Sequence, residues 1–218
     1  MRIDIVSDVI CPWCFIGKRR LAAALGERGE ASAEVAWHPF QLNPDMPPEG
    51  MPRDRYLANK FGGAQHAGRI YDNLTNVGAS VGISFAFDRI KMTPNTRDAH
   101  RLIRYAGGTE RANDVVEALF RAYFIEGRNI GDPTTLTEIG TEAGLDRAEV
   151  MRFISSTEAV EETLAEDLSA RRIGITAVPC FIFEKKYVVS GAQEPEFFFP
   201  LFDLLRSEQA KGEATAAQ

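Results

Sequence analysis

Two cysteines separated by two residues are the sharpest chemical feature of the sequence, which reads Cys11-Pro12-Trp13-Cys14. They lie where an alternating apolar stretch gives way to a pattern with helical spacing. Cysteines three apart in a first helical turn can close a disulfide without unwinding the helix, and a proline suits that turn. The N–H groups and dipole of a helix start stabilise a thiolate, and a thiol pKa lowered from ~8.5 toward neutrality raises the thiolate fraction severalfold or more. The pattern predicts thiol–disulfide exchange, with Cys11 attacking and the more covered Cys14 resolving the mixed disulfide.

A zinc half-site and an inert structural disulfide are the alternatives for this motif. Zinc would need two more ligands, and outside the motif the candidates are Cys180, His38, His66 and His100. The sequence has no second Cys-x-x-Cys and no His pair. We therefore expect no metal.

Composition narrows the class of protein. The chain has 218 residues and a net charge of -6, which argues against a general nucleic-acid binder. No apolar run reaches the length of a membrane span, and the N-terminus does not read as a secretory signal. Three cysteines are too few for a secreted disulfide scaffold. We expect a cytoplasmic protein that binds neither nucleic acid nor membrane, as a monomer or a homodimer.

Hydrophobic periodicity predicts the elements that position the motif. Strand 2–7, helix 15–25 and strand 34–42 open the chain, and a proline-rich loop, 43–52, follows. A long stretch of period 3.6 comes next, with one helix expected to start at 93–96 and to hold Pro94 in its first turn. A hairpin, 180–189, and a helix from Pro195 close the chain. Neither half has enough strands alone, so we predict one mixed α/β sheet from 1–43 plus 174–218, with an all-helical insertion at 44–173.

Four segments carry a resemblance to a known family. The chain resembles the DsbA family of thioredoxin-like oxidoreductases, in its FrnE-like cytoplasmic branch, at SDVICPWCFIG (7–17), WHPFQLNP (37–44), the segment 174–179 and SGAQ (190–193). The resemblance implies a thioredoxin-like fold with a helical insertion and dithiol–disulfide exchange. It also implies a cis Val178–Pro179 bond facing the cysteines, where the backbone of Val178 binds an extended substrate. Pro12, Trp13, Val178 and Pro179 are then the substrate-binding residues.

Two departures from the family pattern concern proton and electron transfer. The residues between the cysteines are Pro-Trp, without the histidine of the strongly oxidising members, which predicts a less oxidising protein. Ile5 stands where thioredoxin-like enzymes bury an acid, so another proton acceptor or water must serve Cys14. Asp4 and Asp8 are nearby. We favour a structural role for Asp8, in capping the helix region or bonding the turn.

Three further residues are candidates for lining the cleft. In related isomerases and kappa-class glutathione transferases a polar residue near a matching helix start helps bind glutathione, which points to Asn95 and His100. Their alternative roles are a cap and a packed helix face. Cys180 follows Pro179 and is either a third thiol or an inert core cysteine. Strand alternation places its side chain opposite that of Pro179 and favours the core.

Three functions follow, in order of preference. The first is an oxidoreductase acting on a protein or small disulfide, with its own redox-active disulfide in place of a bound cofactor and glutathione as a candidate co-substrate. The second is a glutathione-dependent isomerase or kappa-class-like transferase; such proteins usually carry serine at the position of Cys11, so both cysteines weigh against it. The third is a non-catalytic binding module whose helices present an apolar groove.

Overall fold

The computed structural model describes residues 1–30, 32–62, 64–109 and 111–216, without the side chains of 64–67 and 212–216. It has a four-stranded mixed sheet and a large helical segment between the second and third of those strands along the chain. The strands are β1 (Arg2–Ser7), β2 (Glu34–Pro39), β3 (Met51–Pro52), β4 (Met92–Thr93), β5 (Cys180–Phe183) and β6 (Tyr187–Ser190). The helices are α1 (Pro12–Glu27), α2 (Arg53–Phe61), α3 (Ala64–Ser80), α4 (Arg97–Gly107), α5 (Ala112–Arg121), α6 (Pro133–Glu142), α7 (Arg147–Ser155), α8 (Val160–Arg172) and α9 (Phe199–Ala216).

The main sheet unites the two ends of the chain in the order β2-β1-β5-β6. β1 pairs in parallel with β2, in the register that sets Arg2 opposite Glu34 and Ser7 opposite Pro39. On its other side β1 pairs antiparallel with β5, and β5 pairs antiparallel with β6. The prediction of one mixed sheet built from sequence-distant halves is confirmed.

Helices cover both faces of this sheet. Ile3 and Ile5 of β1 point to one face, where they pack with Leu21 of α1 and Phe202 of α9. Val6 points to the other face and packs with Cys180, Phe40 and Ala170 of α8. This alternation follows from the period of two in a strand.

The segment from α2 to α8, which we call the helical lobe, has its own core, and α1 belongs to that core too. Phe15 and Ile16 are fully buried against lobe residues, among them Phe120. Between β2 and β5 the described residues also form the two-residue ribbon β3–β4 and a π-helical turn, Ala122–Glu126, that continues α5. Because α1 packs against both the sheet and the lobe, the two parts share a helix, and the predicted domain boundaries at 43/44 and 173/174 stay a prediction. In the described ranges no helix is both long and apolar enough to cross a bilayer.

Three local expectations were wrong. β2 ends at Pro39 and not at 42, because the N–H groups of Gln41 and Leu42 turn away to the carboxylates of Asp167 and Asp8, both at 2.7 Å. α4 begins at Arg97, so Pro94 precedes it and is not in its first turn. The third is the ribbon β3–β4, where the sequence indicated only loop and helix; two-residue strands leave no periodicity to read.

Candidate active site

The start of α1 positions both cysteines as predicted. Cys11 occupies the N-cap position with extended backbone, and Pro12 is the first helical residue. The chain turns tightly into the helix, since the N–H of Cys11 bonds the Asp8 carbonyl at 3.0 Å and the N–H of Cys14 bonds the Cys11 carbonyl at 3.0 Å. Both side chains are free thiols, 5% and 1% exposed respectively. The cysteine at the open end of the helix is thus the more accessible of the two.

The Val178–Pro179 bond is cis, which confirms that prediction, and its loop meets the cysteine motif. The Cys11 thiol donates to the Val178 carbonyl oxygen at 3.6 Å, joining residues 167 apart in the chain. Gly17 permits this approach, because a Cβ there would lie 2.9 Å from Cγ of Pro179. The helix start and the proline loop therefore form one site.

The Cys14 thiol sits in a strongly desolvated position. Burial raises its pKa well above the ordinary value, and the hydrogen bond and charge of Cys11 raise it further. The Ser7 side chain and the Asp8 backbone act in the opposite direction. Cys14 is consequently held as a neutral thiol behind Cys11, as a resolving cysteine should be.

A cleft of about 240 Å³ opens beside Cys11. Pro12 and Trp13 line it on one side, and aromatic side chains of the lobe line the other: Tyr56, Phe61, Tyr71, Phe87 and Phe124. Trp13 is 37% exposed, so an aromatic surface borders the reactive sulfur. The site can therefore hold an apolar or extended substrate segment against Cys11.

Two cations in this cleft were missed by the sequence analysis. Arg53 donates to the Thr93 hydroxyl at 3.1 Å, the Tyr123 hydroxyl at 3.3 Å and the Tyr71 hydroxyl, while Lys60 donates to the Tyr56 hydroxyl at 2.7 Å. In the described part of the chain no carboxylate lies within ion-pair distance of Arg53 or Lys60. No sequence signal separates these two cations from the many others, since only the fold brings them to Cys11.

The aspartates near the motif have structural partners. Asp8 is fully buried, and its carboxylate accepts the N–H of Leu42 at 2.7 Å and that of Ile10 at 3.5 Å, which confirms the turn-bonding role. Asp4 pairs with Arg2 at 3.0 Å and with His38 at 2.9 Å, and these partners lower its pKa although burial opposes them. Ile5 lies in the core between sheet and helices.

The three possible cleft residues do not line the cleft, which corrects that expectation. Asn95 lies in the loop that enters α4, where its side-chain oxygen accepts hydrogen bonds from Gln41 and the N–H of Arg97, and its side-chain nitrogen donates to the Met46 carbonyl. His100 faces Asp8 and lines a different cavity, because it lies on the sheet side of α4. Cys180 is buried in the core, on the favoured side of the strand, and burial raises its pKa. Over the described ranges no three metal-ligating side chains cluster.

A cis-proline loop facing a Cys-x-x-Cys helix start on a mixed sheet defines the thioredoxin-like class of oxidoreductases. A family model for the DSBA-like thioredoxin domain matches residues 2–200. The chain belongs to that family.

Similar proteins agree in fold and length. A probable DsbA oxidoreductase, SCO1869 of Streptomyces coelicolor, is 31% identical, with a TM-score of 0.86 over 95% of this chain and 91% of that one. The uncharacterized protein YwbO of Bacillus subtilis is 27% identical over 91% of this chain and 94% of its own. The cytosolic disulfide reductase DsbM of Pseudomonas aeruginosa, solved with GSH, is 20% identical with a TM-score of 0.66 over 94% of this chain and all of its own; this likeness concerns the fold alone.

Proposed function

We propose that this protein is a thiol–disulfide oxidoreductase that works through the Cys11–Cys14 pair. The observation that carries the proposal is the Cys11 sulfur at the start of α1, 3.6 Å from the Val178 carbonyl of the cis-proline loop. Because the helix start and the cis-proline loop meet at one sulfur, an extended substrate segment aligned on the loop lies beside the thiol that attacks it.

The exchange has two balanced steps. The Cys11 thiolate attacks one sulfur of a substrate disulfide; that S–S bond breaks, and the other sulfur leaves as a thiolate that takes up a proton. Cys14 then loses its proton and attacks the Cys11 sulfur, which forms the Cys11–Cys14 disulfide and releases the second substrate thiolate. The substrate is reduced by two electrons and the protein is oxidised by two. The reverse sequence donates the disulfide.

Substrate alignment rests on the backbone and on the aromatic cleft. The Val178 carbonyl beside Cys11 is a main-chain acceptor that can pair with an extended segment carrying the reactive cysteine. Pro12, Trp13 and the lobe aromatics supply apolar contact around it. These features fit a disulfide in an exposed, extended part of a protein or peptide.

Reduction of insulin disulfides, with a thiol regenerant, tests the function. Cys11→Ser should lose activity and Cys14→Ser should accumulate a mixed disulfide, visible by mass spectrometry. Cys180→Ala is the matched control, because Cys180 is buried away from the cleft, and it should retain activity. Undiminished activity in Cys11→Ser would refute the proposal.

Glutathione is the small co-substrate that we propose for the same site. Its two carboxylates match Arg53 and Lys60, which have hydroxyl partners and no carboxylate partner in the described residues. The DsbM protein of the same fold was solved with GSH and is described as cytosolic, and a cytoplasmic location is part of this proposal.

Removal of the Arg53 charge tests the glutathione proposal. Because a hydrogen bond to a charged group contributes about 1.5–3 kcal/mol, Arg53→Met should raise the KM for glutathione disulfide about tenfold or more. The KM for a neutral disulfide, bis-hydroxyethyl disulfide, should stay unchanged. Arg55→Met, at a neighbouring exposed position, is the control. An equal rise in the KM for glutathione disulfide and for bis-hydroxyethyl disulfide would show that Arg53 does not bind the carboxylates of the substrate.

A further inference from the structure

Helix α8 has an apolar outer side that packs against no described part of the chain. Its inner side holds Thr163, Asp167 and Ala170, which are buried toward the sheet. Leu164 and Leu168 lie on the outer side, where their side chains are 43% and 45% exposed. In the described ranges neither leucine joins an apolar cluster. A surface helix normally presents polar residues to water, so two leucines one turn apart indicate a surface for contact.

A charged side chain stands at each end of this outer side. Glu161, Ala165, Leu168 and Arg172 are all exposed, and at 3.6 residues per turn they project within a sector of about 60°. Among the residues that the structure describes, neither Glu161 nor Arg172 has an ion-pair partner, whereas Glu166, on the flank of the helix, pairs with α4 at 2.8 Å. The helix dipole favours an acid at the start and a base at the end, but it does not account for the leucines between them.

The order acid, apolar, base is complementary to itself when the helix direction is reversed. We consider two antiparallel α8 helices whose twofold axis passes midway between Ala165 and Leu168. Glu161 of each copy then lies opposite Arg172 of the other, and Ala165 lies opposite Leu168. Because the axis repeats every contact, both ion pairs form together. The small side chain of Ala165 leaves room for the leucine at the separation of about 8–10 Å that packed helices adopt.

We propose that α8 forms a twofold, antiparallel contact between two copies of this chain. Leu164 and Leu168 supply its apolar centre, and pairs of Glu161 with Arg172 close both ends. A second copy fits this surface because the same helix carries both charges in the order that the reversed helix requires. One helix face buries less area than a standard interface, so the dimer is weak and reversible.

The contact is separate from the exchange chemistry. The structure describes every residue of α8, and none of them lines the cleft beside Cys11. A dimer through α8 therefore leaves both clefts open to substrate. The inference does not depend on the proposed function, and insulin reduction and self-association can succeed or fail independently.

Sedimentation velocity over a range of protein concentrations tests the contact, with a reductant present to exclude intermolecular disulfides. The wild-type protein should show a concentration-dependent dimer. Leu168→Glu should raise its Kd more than tenfold, because it places a carboxylate in the apolar centre of both copies. Phe197→Glu is the matched control: Phe197 is also exposed, at 58%, but it lies next to the core on the α9 side of the sheet, and the dimer should persist.

Charge reversal tests the antiparallel register. Glu161→Arg and Arg172→Glu should each raise the Kd about tenfold or more, since each variant sets like charges opposite one another at both ends. An equal mixture of the two variants should dimerise nearly as well as the wild type, because every end then has opposite charges again. Glu162→Arg, at an exposed position off this face, is the control and should leave the Kd unchanged. Far-ultraviolet circular dichroism checks that each variant is folded.

Three results would overturn the proposal. A wild-type protein that stays monomeric at millimolar concentration would leave the α8 surface to a different partner. A dimer that Leu168→Glu does not weaken would place the contact elsewhere on the chain. Two charge variants that are each monomeric and fail to dimerise when mixed would exclude the antiparallel pairing of Glu161 with Arg172.

Discussion

Burial of the Cys14 thiol links the chemistry of one residue to the stability of the reduced protein. The pKa of Cys14 is raised in the folded state, chiefly by desolvation and then by Cys11. The neutral thiol is therefore the form that the fold accommodates. An unfolded chain exposes the same thiol to water, where it ionises near ~8.5.

This difference predicts a loss of stability at alkaline pH. Below the unfolded-state pKa both states hold the proton and the contribution of Cys14 is complete; above it only the unfolded state ionises, and stability falls by up to about 1.4 kcal/mol per pH unit. The free energy of unfolding of the reduced protein, measured in denaturant, should therefore decline more steeply with pH than that of Cys14→Ser. Parallel curves for the two proteins would contradict this expectation.

The cysteine motif was predictable because its chemistry is local. Spacing places Cys11 and Cys14 in one turn, and the turn lies at a strand-to-helix junction that the periodicity shows. Arg53 could not be assigned to the site in this way, because the lobe carries it to Cys11 through tertiary packing. The same holds for Ser7 and His100, which line one cavity because of how α4 packs against the sheet.

At the scale of elements, the junction of α4, α7 and α8 depends on one buried guanidinium. Arg101, 2% exposed, donates to the carbonyls of Phe153 at 3.0 Å, Ser156 at 2.8 Å and Glu158 at 2.8 Å. It also pairs with Asp98 at 3.0 Å. Ser156 and Glu158 follow the end of α7, so from α4 Arg101 binds carbonyls in the turn between α7 and α8. The Phe153 carbonyl also accepts the N–H of Ser156 at 3.1 Å.

Loss of this guanidinium should be costly. Arg101→Met removes the donor of the Ser156 and Glu158 carbonyls and the buried partner of Asp98, and should lower the free energy of unfolding by about 3 kcal/mol. Arg152→Met removes an exposed arginine of α7 and should change it by less than about 0.5 kcal/mol. Thermal or denaturant unfolding of both variants measures the contrast, and similar values for the two would show that the carbonyls find other partners.

Element boundaries were less predictable than element types. The period of two predicts a strand at β2, yet its end is set by Asp8 and Asp167, whose carboxylates bind the next backbone N–H groups. Those aspartates are 34 and 126 residues away from the groups they bind. Sequence patterns within one element do not report such partners.

At the scale of the whole molecule, α1 joins the sheet to the helical lobe. Its Phe15 ring stacks on Phe120 at 5.0 Å between centroids and contacts Phe85 and Phe124 at 6.1 and 6.4 Å. Leu21 and Ala24, on another face of the same helix, pack into the core between sheet and α9. One helix therefore closes two cores.

We expect the two parts of the molecule to unfold together. Phe15→Ala should cost about 3–5 kcal/mol and leave a single transition. In a Trp13→Phe background, the fluorescence of Trp37 on the sheet and the far-ultraviolet circular dichroism, to which the lobe helices contribute most, should change together. Phe197→Ala, at a side chain 58% exposed, should change stability by less than about 0.5 kcal/mol. Separate transitions for the two signals would show that the lobe folds as an independent unit.

Because α1 packs into two cores, both of them restrict which substitutions this helix can accept during evolution. Substitutions at Phe15 and Ile16 change the packing against the lobe, whereas substitutions at Leu21 and Ala24 change the packing against the sheet. Amino-acid changes at 15 and 16 should thus co-vary with changes at Phe120 and Phe124 among relatives. A chimaera that takes its lobe from another family member would need to inherit that stretch of α1 with it.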